Sequence, residues 1–185
     1  RLPCGIRSSN CGGSEKNSME LLPKRKPNRL TGYDYSQPGC YFITICTAGR
    51  QPILRRGAQC APASEIPPLT EIGEITERAI QSIPNHYPYV FVEKYVVMPN
   101  HIHLMLRIEG TGRTLCAPTP VGAVPRIIKA MKETVTKCAR SPVWQKGYHD
   151  HIVRGEAEYL RIWNYIDTNP AKWREDCYYC QNEGV

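Results

Sequence analysis

Tyr95-Val96-Val97-Met98-Pro99-Asn100-His101-Ile102-His103-Leu104-Met105-Leu106 is the stretch from which the rest of the chain can be read. Two hydrophobic runs meet at Pro99-Asn100, and a His-Ile-His triplet opens the second. Successive strand side chains point to opposite faces, so His101 and His103 share one face and Ile102 turns away. Two imidazoles about 7 Å apart along a rigid strand can converge on one metal ion. The strand is otherwise apolar, and polar groups on an inner face need a partner.

Working outward, the two runs give strands over Val90 to Met98 and His101 to Ile108. Upstream, Ile72, Ile75, Ala79, Ile80 and Ile83 recur at helical spacing within Thr70 to Tyr87. Thr70 is the N-cap candidate, and Pro84 or Pro88 ends the helix. Before it, Cys40 to Thr47 is rich in β-branched and aromatic residues, which predicts the first strand. Downstream, Val124, Ile127, Ile128, Met131, Val135 and Cys138 predict an amphipathic helix over Val124 to Ala139. Val143 to Val153 reads as a fourth strand. Glu156 to about Trp173 is a third helix, with Tyr159, Ile162, Trp163 and Ile166 as its apolar stripe. Residues 49–69 and 109–121 are loops rich in Pro and Gly.

The order is β-α-β-β-α-β followed by an extra helix. This is the α+β, ferredoxin-like split βαβ pattern, with a four-stranded antiparallel sheet and two helices on one face. The first and third strands would be central, and the third helix could cover the open face. Residues 1–23 lack periodicity and read as a flexible extension. Residues 24–175 form the domain and 176–185 a tail.

The chain has 185 residues, a formal charge of +7 and a pI near 9.0. That length suits one domain with a real core. A basic balance favours polyanionic partners, because neutralised phosphates release counterions. The charge is concentrated at Lys24, Arg25, Lys26 and Arg29, and again at Arg126, Lys129, Lys132, Lys137, Arg140 and Lys146. A solvated surface is the plainer account of such runs. No apolar run has membrane-spanning length, and no hydrophobic signal segment is seen. The chain opens at Arg1 without an initiator Met, as a fragment or a processed product does. The nine cysteines are an odd set in a long chain, which argues for reduced thiols in a cytoplasm. Cys40, Cys46 and Cys138 read as small buried hydrophobes. Cys177-Tyr-Tyr-Cys180 has half of a zinc-site spacing.

A second chemistry-bearing stretch is Tyr165-Ile166-Asp167-Thr168-Asn169-Pro170. Tyr165 and Asn169 are four apart, so on a helix they lie one above the other. Tyr165 flanks the apolar stripe, where it borders core and cleft. A phenol has a reference pKa near 10, so attack on phosphorus needs a cation that neutralises the phosphate. Asn169 offers a third ligand oxygen to that ion, or simply ends the helix before Pro170.

Val97-Met98-Pro99-Asn100-His101-Ile102-His103 resembles the His-hydrophobic-His motif of the HUH endonuclease superfamily. With the Tyr165–Pro170 stretch, the chain resembles the single-tyrosine transposases of insertion sequences, and more closely the REP-associated tyrosine transposases. Gly32-Tyr33-Asp34-Tyr35, Tyr41 to Thr47 and Trp144 to Arg154 match as well, so the resemblance spans roughly residues 24–175. It implies that His101 and His103 bind a divalent metal, Mg²⁺ or Mn²⁺, and that Tyr165 is the nucleophile. Single-stranded DNA would be cleaved to a 5′-phosphotyrosine and a free 3′-OH, then resealed by the reverse step. Relatives act on DNA hairpins, which Lys24, Arg25, Lys26, Arg29, Arg126, Lys129, Arg154 and Arg161 could hold by phosphate contacts. In the family the third ligand is often Gln, Glu or Asp; here the matching position is Asn169. Both monomers and homodimers occur among the relatives, and the location implied is the bacterial cytoplasm and nucleoid.

Two other readings stay open on the residues alone. The split βαβ sheet is also the RRM architecture, but an RRM stacks bases on aromatics of its first and third strands, and the third strand here carries His and no aromatic. An H-x-H metallohydrolase would need further acidic or His ligands, which are not close in sequence. Asp150 and His151 match the family pattern without a role that spacing can assign; phosphate contact and support of the tyrosine helix both fit.

Overall fold

A computed structural model describes residues 33, 35, 37–56, 67–110, 122–176 and 179. The N-terminal extension, the basic residues Lys24, Arg25, Lys26 and Arg29, and the pair Cys177 and Cys180 lie outside them. Four strands, β1 (Gly39–Cys46), β2 (Val90–Val97), β3 (His101–Ile108) and β4 (His149–Val153), form one antiparallel sheet in the order β2-β3-β1-β4. The first and third strands are therefore central. Helices α1 (Glu71–Gln81), α2 (Ile83–His86), α3 (Ala123–Ala139) and α4 (Glu156–Thr168) complete the α+β fold, and a 3₁₀ helix, Asn169–Glu175, follows α4 directly.

Alternation sorts the sheet into two faces. Tyr41, Ile43 and Ile45 of β1 join Ile102, Leu104 and Leu106 of β3 under α1 and α3, which contribute Ala79, Ile80, Ile127, Ile128, Met131 and Val135. The other face carries a smaller cluster, in which Met105 meets Ile162 and Ile166 of α4 with Phe42, Val96 and Trp163 beside them. His101 and His103 belong to this second face.

A bulge in β2 sets how α4 sits. Val92 pairs with Leu106 and Lys94 with Met105, so Glu93 is the extra residue. Such an insertion re-aims the side chains after it. Lys94 thereby turns to α4, where it pairs with Asp167 and lies 4.5 Å over the Trp163 ring. Glu93 accepts a 2.9 Å hydrogen bond from the Tyr159 hydroxyl.

Three boundaries differ from the periodicity, each for a local reason. The first helix stops at Gln81 and restarts as α2, because Pro84 has no N–H to give and its ring crowds the preceding turn. The third helix ends at Thr168; Asn169 keeps helical angles (φ −56°, ψ −43°) despite preceding Pro170, and the chain tightens to 3₁₀. β4 begins at His149, not Val143, apart from a bridge of Trp144 to Thr47. Lys132 Nζ donates to the carbonyls of Gln145 (2.6 Å), Gly147 and Lys146, so a helix side chain satisfies groups that a ladder would otherwise use.

α1 starts where the sequence places it, with the Thr70 hydroxyl accepting from the Gly73 N–H at 3.0 Å. Gly73 is required there, since a Cβ would stand 2.1 Å from the Leu54 carbonyl oxygen. Cys138 is exposed, which corrects its reading as a buried residue; Cys40 and Cys46 are half-buried, and none of the three is in a disulfide among the described residues. Among the described residues, no helix is long and apolar enough to cross a membrane.

Candidate active site

β3 and β1 build the floor of the site. Thr44 of β1 pairs with His103 of β3, and Cys46 with His101. Both imidazoles are fully buried. The His103 Nδ1 lies 2.9 Å from the Thr44 hydroxyl, and the His101 Nδ1 2.9 Å from the Asn100 Oδ1. Asn100 Oδ1 can only accept, so His101 Nδ1 carries the proton and its Nε2 presents a lone pair. The Thr44 hydroxyl can fix His103 in the same tautomer. The two Nε2 atoms are 3.0 Å apart. Burial, joined by the Arg50 charge for His101 and by the neighbouring imidazole for His103, pushes both rings down to about 3. They are neutral at physiological pH, the form that binds metal.

The 3₁₀ helix folds back over the pair. Its C-cap residue, Asp176, brings Oδ2 to 3.9 Å from His101 Nε2, with the carboxylate almost wholly buried. That separation is too long for a hydrogen bond, and a neutral His101 makes no ion pair with it. One ligand atom from each of His101, His103 and Asp176 lies within 4.8 Å of the others. The fit to a divalent cation is good: two imidazole nitrogens and a carboxylate oxygen, each imidazole oriented through its other nitrogen. Imidazole donors favour Mn²⁺ or Zn²⁺ over the oxygen-seeking Mg²⁺.

Asn169, the expected third ligand, is buried beside this cluster. Its Nδ2 donates to Asp176 Oδ2 at 3.1 Å, and its Oδ1 is buried without a hydrogen-bond partner among the described residues. The nearest acidic oxygen is thus not on the tyrosine helix but on Asp176, within the segment that sequence assigns to the tail. Neither Asp176 nor Arg50 carries a motif that would have singled it out. Arg50 follows Gly49 in a turn where both have positive φ, 60° and 56°. An arginine in that region is uncommon.

Tyr165 is 41% exposed, yet its hydroxyl lies 3.1 Å from His103 Nε2. The same chain supplies the tyrosine and both histidines. Phe42 steadies the ring edge-on at 6.0 Å and stacks on His103 at 5.2 Å. In front of the tyrosine is a cleft of about 270 Å³, lined by Phe42, Thr44, His103, His149, His151 and Tyr165, with Asp150 at its wall. His151 is taken up by the tyrosine helix: its Nε2 lies 2.9 Å from Glu158 Oε1, while the Arg154 N–H and the Arg161 guanidinium also donate to Glu158. These bonds hold the Glu158 carboxyl below the usual carboxylate range.

The other expected DNA contacts divide. Arg154 and Arg161 lie exposed at the start of α4, on the tyrosine side. Arg126 and Lys129 are exposed on α3, across the sheet from Tyr165. Lys129 borders a groove of about 800 Å³ together with Lys132, Lys137, Lys146 and Trp144.

No family model matches the chain. It is 31% identical over 176 residues to an uncharacterised protein of Haemophilus influenzae, covering 84% of this chain and 93% of that one. A provisionally named REP-associated tyrosine transposase of the same organism is 23% identical over 145 residues, 75% of this chain and 74% of that one. A solved structure of a REP-associated tyrosine transposase bound to a REP hairpin superposes with a TM-score of 0.55 at 20% identity, covering 78% of this chain and 73% of that one. The chain belongs to one family with the first Haemophilus protein, and it is similar to the REP-associated tyrosine transposases in sequence and in fold.

Proposed function

We propose that this protein cleaves and rejoins single-stranded DNA next to a hairpin, with Tyr165 as nucleophile and a divalent cation held by His101, His103 and Asp176. The observation that carries the reading is the placement of the Tyr165 hydroxyl 3.1 Å from a buried imidazole that itself belongs to a three-residue ligand cluster. A bound cation supplies charge neutralisation at the phosphate. Asn169 completes the ligand set or holds Asp176 in place. The Tyr165 oxygen bonds to phosphorus and loses its proton; the P–O3′ bond breaks and the departing oxygen ends as a 3′-hydroxyl. The product is a 5′-phosphotyrosine, whose retained bond energy allows the reverse attack by another 3′-hydroxyl without ATP. Arg154 and Arg161 flank the path of the strand. Arg126 and Lys129, across the sheet, contact phosphates farther off. Because one chain supplies both histidines and the tyrosine, a monomer suffices for cleavage.

The test is incubation of the protein with a 5′- or 3′-labelled hairpin oligonucleotide in Mn²⁺. The outcome expected is a covalent protein–DNA adduct that retains only the label 3′ of the cut and disappears with chelator. Adduct formation that is unaffected by chelator would remove the metal from the account. Binding of the hairpin without any cleavage would favour the RRM-like alternative.

A further inference from the structure

β4 places two histidines on the same sheet face as the catalytic cluster, and they have different fates. His151 pairs with Phe42 across the ladder and is bound to Glu158. His149 pairs with Thr44, which on its other side pairs with His103. One row across the sheet therefore reads His103, Thr44, His149, with the two histidines two strand spacings apart, about 10 Å. A base reaches out several ångströms from its own backbone, so this ring is within reach of a nucleotide whose phosphate sits at His103. His149 is exposed, lines the cleft in front of Tyr165, and has no hydrogen-bond partner among the described residues. β4 is an edge strand, so the ring borders open solvent on its far side.

We propose that His149 is the platform on which the unpaired base next to the scissile phosphate stacks. The inference rests on the reading that single-stranded DNA passes Tyr165, and it names the group that positions it there. A phosphate at Tyr165 and His103 leaves its neighbouring nucleotide over β4. That nucleotide cannot stack on Phe42, whose ring is covered by His103 at 5.2 Å and Tyr165 at 6.0 Å. Two further rings line the cleft; His151 is bound to Glu158, which leaves the His149 imidazole. Unpaired bases are held by stacking on aromatic side chains, histidine included, and every base offers a π-face for it. A solvated edge-strand histidine is the ordinary alternative, and it would leave DNA binding unchanged.

The experiment is a coupled substitution measured by binding, independent of cleavage. Hairpin oligonucleotides with randomised single-stranded flanks are selected for the tightest binder, and an abasic site is then walked along its flank. His149→Ala should weaken binding of the intact oligonucleotide about tenfold, and His149→Phe should restore it. At one flank position the abasic site should cost wild type the same factor and cost His149→Ala nothing further. If His149→Ala binds as wild type does, or if the two losses multiply at every position, the platform does not exist. A bound oligonucleotide that shows the coupling but never forms an adduct would retain the platform and refute the nuclease reading. An adduct without coupling would do the reverse, and failure of any hairpin to bind would refute both.

Discussion

At the scale of single residues, the site turns on where the third ligand comes from. The sequence leads to Asn169, because that residue lies one turn past the tyrosine. In the folded chain its amide supports Asp176, whose Oδ2 faces His101. Asp176→Ala should therefore weaken Mn²⁺ binding by at least tenfold in calorimetry, and Asn169→Ala by less. Equal losses, or a larger one at Asn169, would return the ligand role to the asparagine. The histidines make a second prediction. Their folded values, near 3, lie below the ordinary 6.5, so the unfolded chain binds more protons between those limits. Their neutral state contributes fully to stability above that window, and the contribution is lost as pH falls through it. The slope for metal-free protein is up to ~1.4 kcal/mol per pH unit for each ring. Urea midpoints measured from pH 7 to 4 should drop in wild type and drop less in His101→Phe.

Secondary-structure elements show how much a linear reading can reach. β3 and its partners were legible because Ile102, Leu104, Leu106 and Ile108 alternate with the histidines, whose own face is buried too by α4. The start of α1 was legible through Thr70. What escaped was set by contacts distant in sequence. Lys132 on α3 takes the carbonyls that would otherwise extend β4, and the bulge at Glu93 turns Lys94 onto α4. Asp176 stands eleven residues past Tyr165, and only the return of the 3₁₀ helix brings it to the histidines. Gly73 gives a stability test at this scale. A methyl at that position meets a backbone oxygen at 2.1 Å, which no side-chain rotation relieves. Gly73→Ala should destabilise by about 1–3 kcal/mol in denaturant titration, against the usual gain of alanine in a helix. A neutral or stabilising result would mean that α1 can draw away from Leu54 at little cost.

For the whole molecule, the sheet separates the candidate site from the larger basic groove. Tyr165, the histidines and the small cleft share the α4 face; Arg126 and Lys129 stand beyond the sheet on α3. On the proposed function, contacts on the far side would supply affinity without touching the reaction. Lys129→Ala should lower the slope of log affinity against log salt by about 1 and leave the cleavage rate of bound DNA unchanged. A changed rate with an unchanged slope would place the lysine near the reacting phosphate instead. The central claim is that Tyr165 becomes covalently joined to DNA. Its most direct measurement is mass spectrometry of the proteolysed adduct formed in Mn²⁺. The account predicts a nucleotide attached through its 5′-phosphate on the peptide that contains Tyr165, and none in Tyr165→Phe. A phosphotyrosyl nucleotide on any peptide without Tyr165, or an undiminished adduct in Tyr165→Phe, would contradict it.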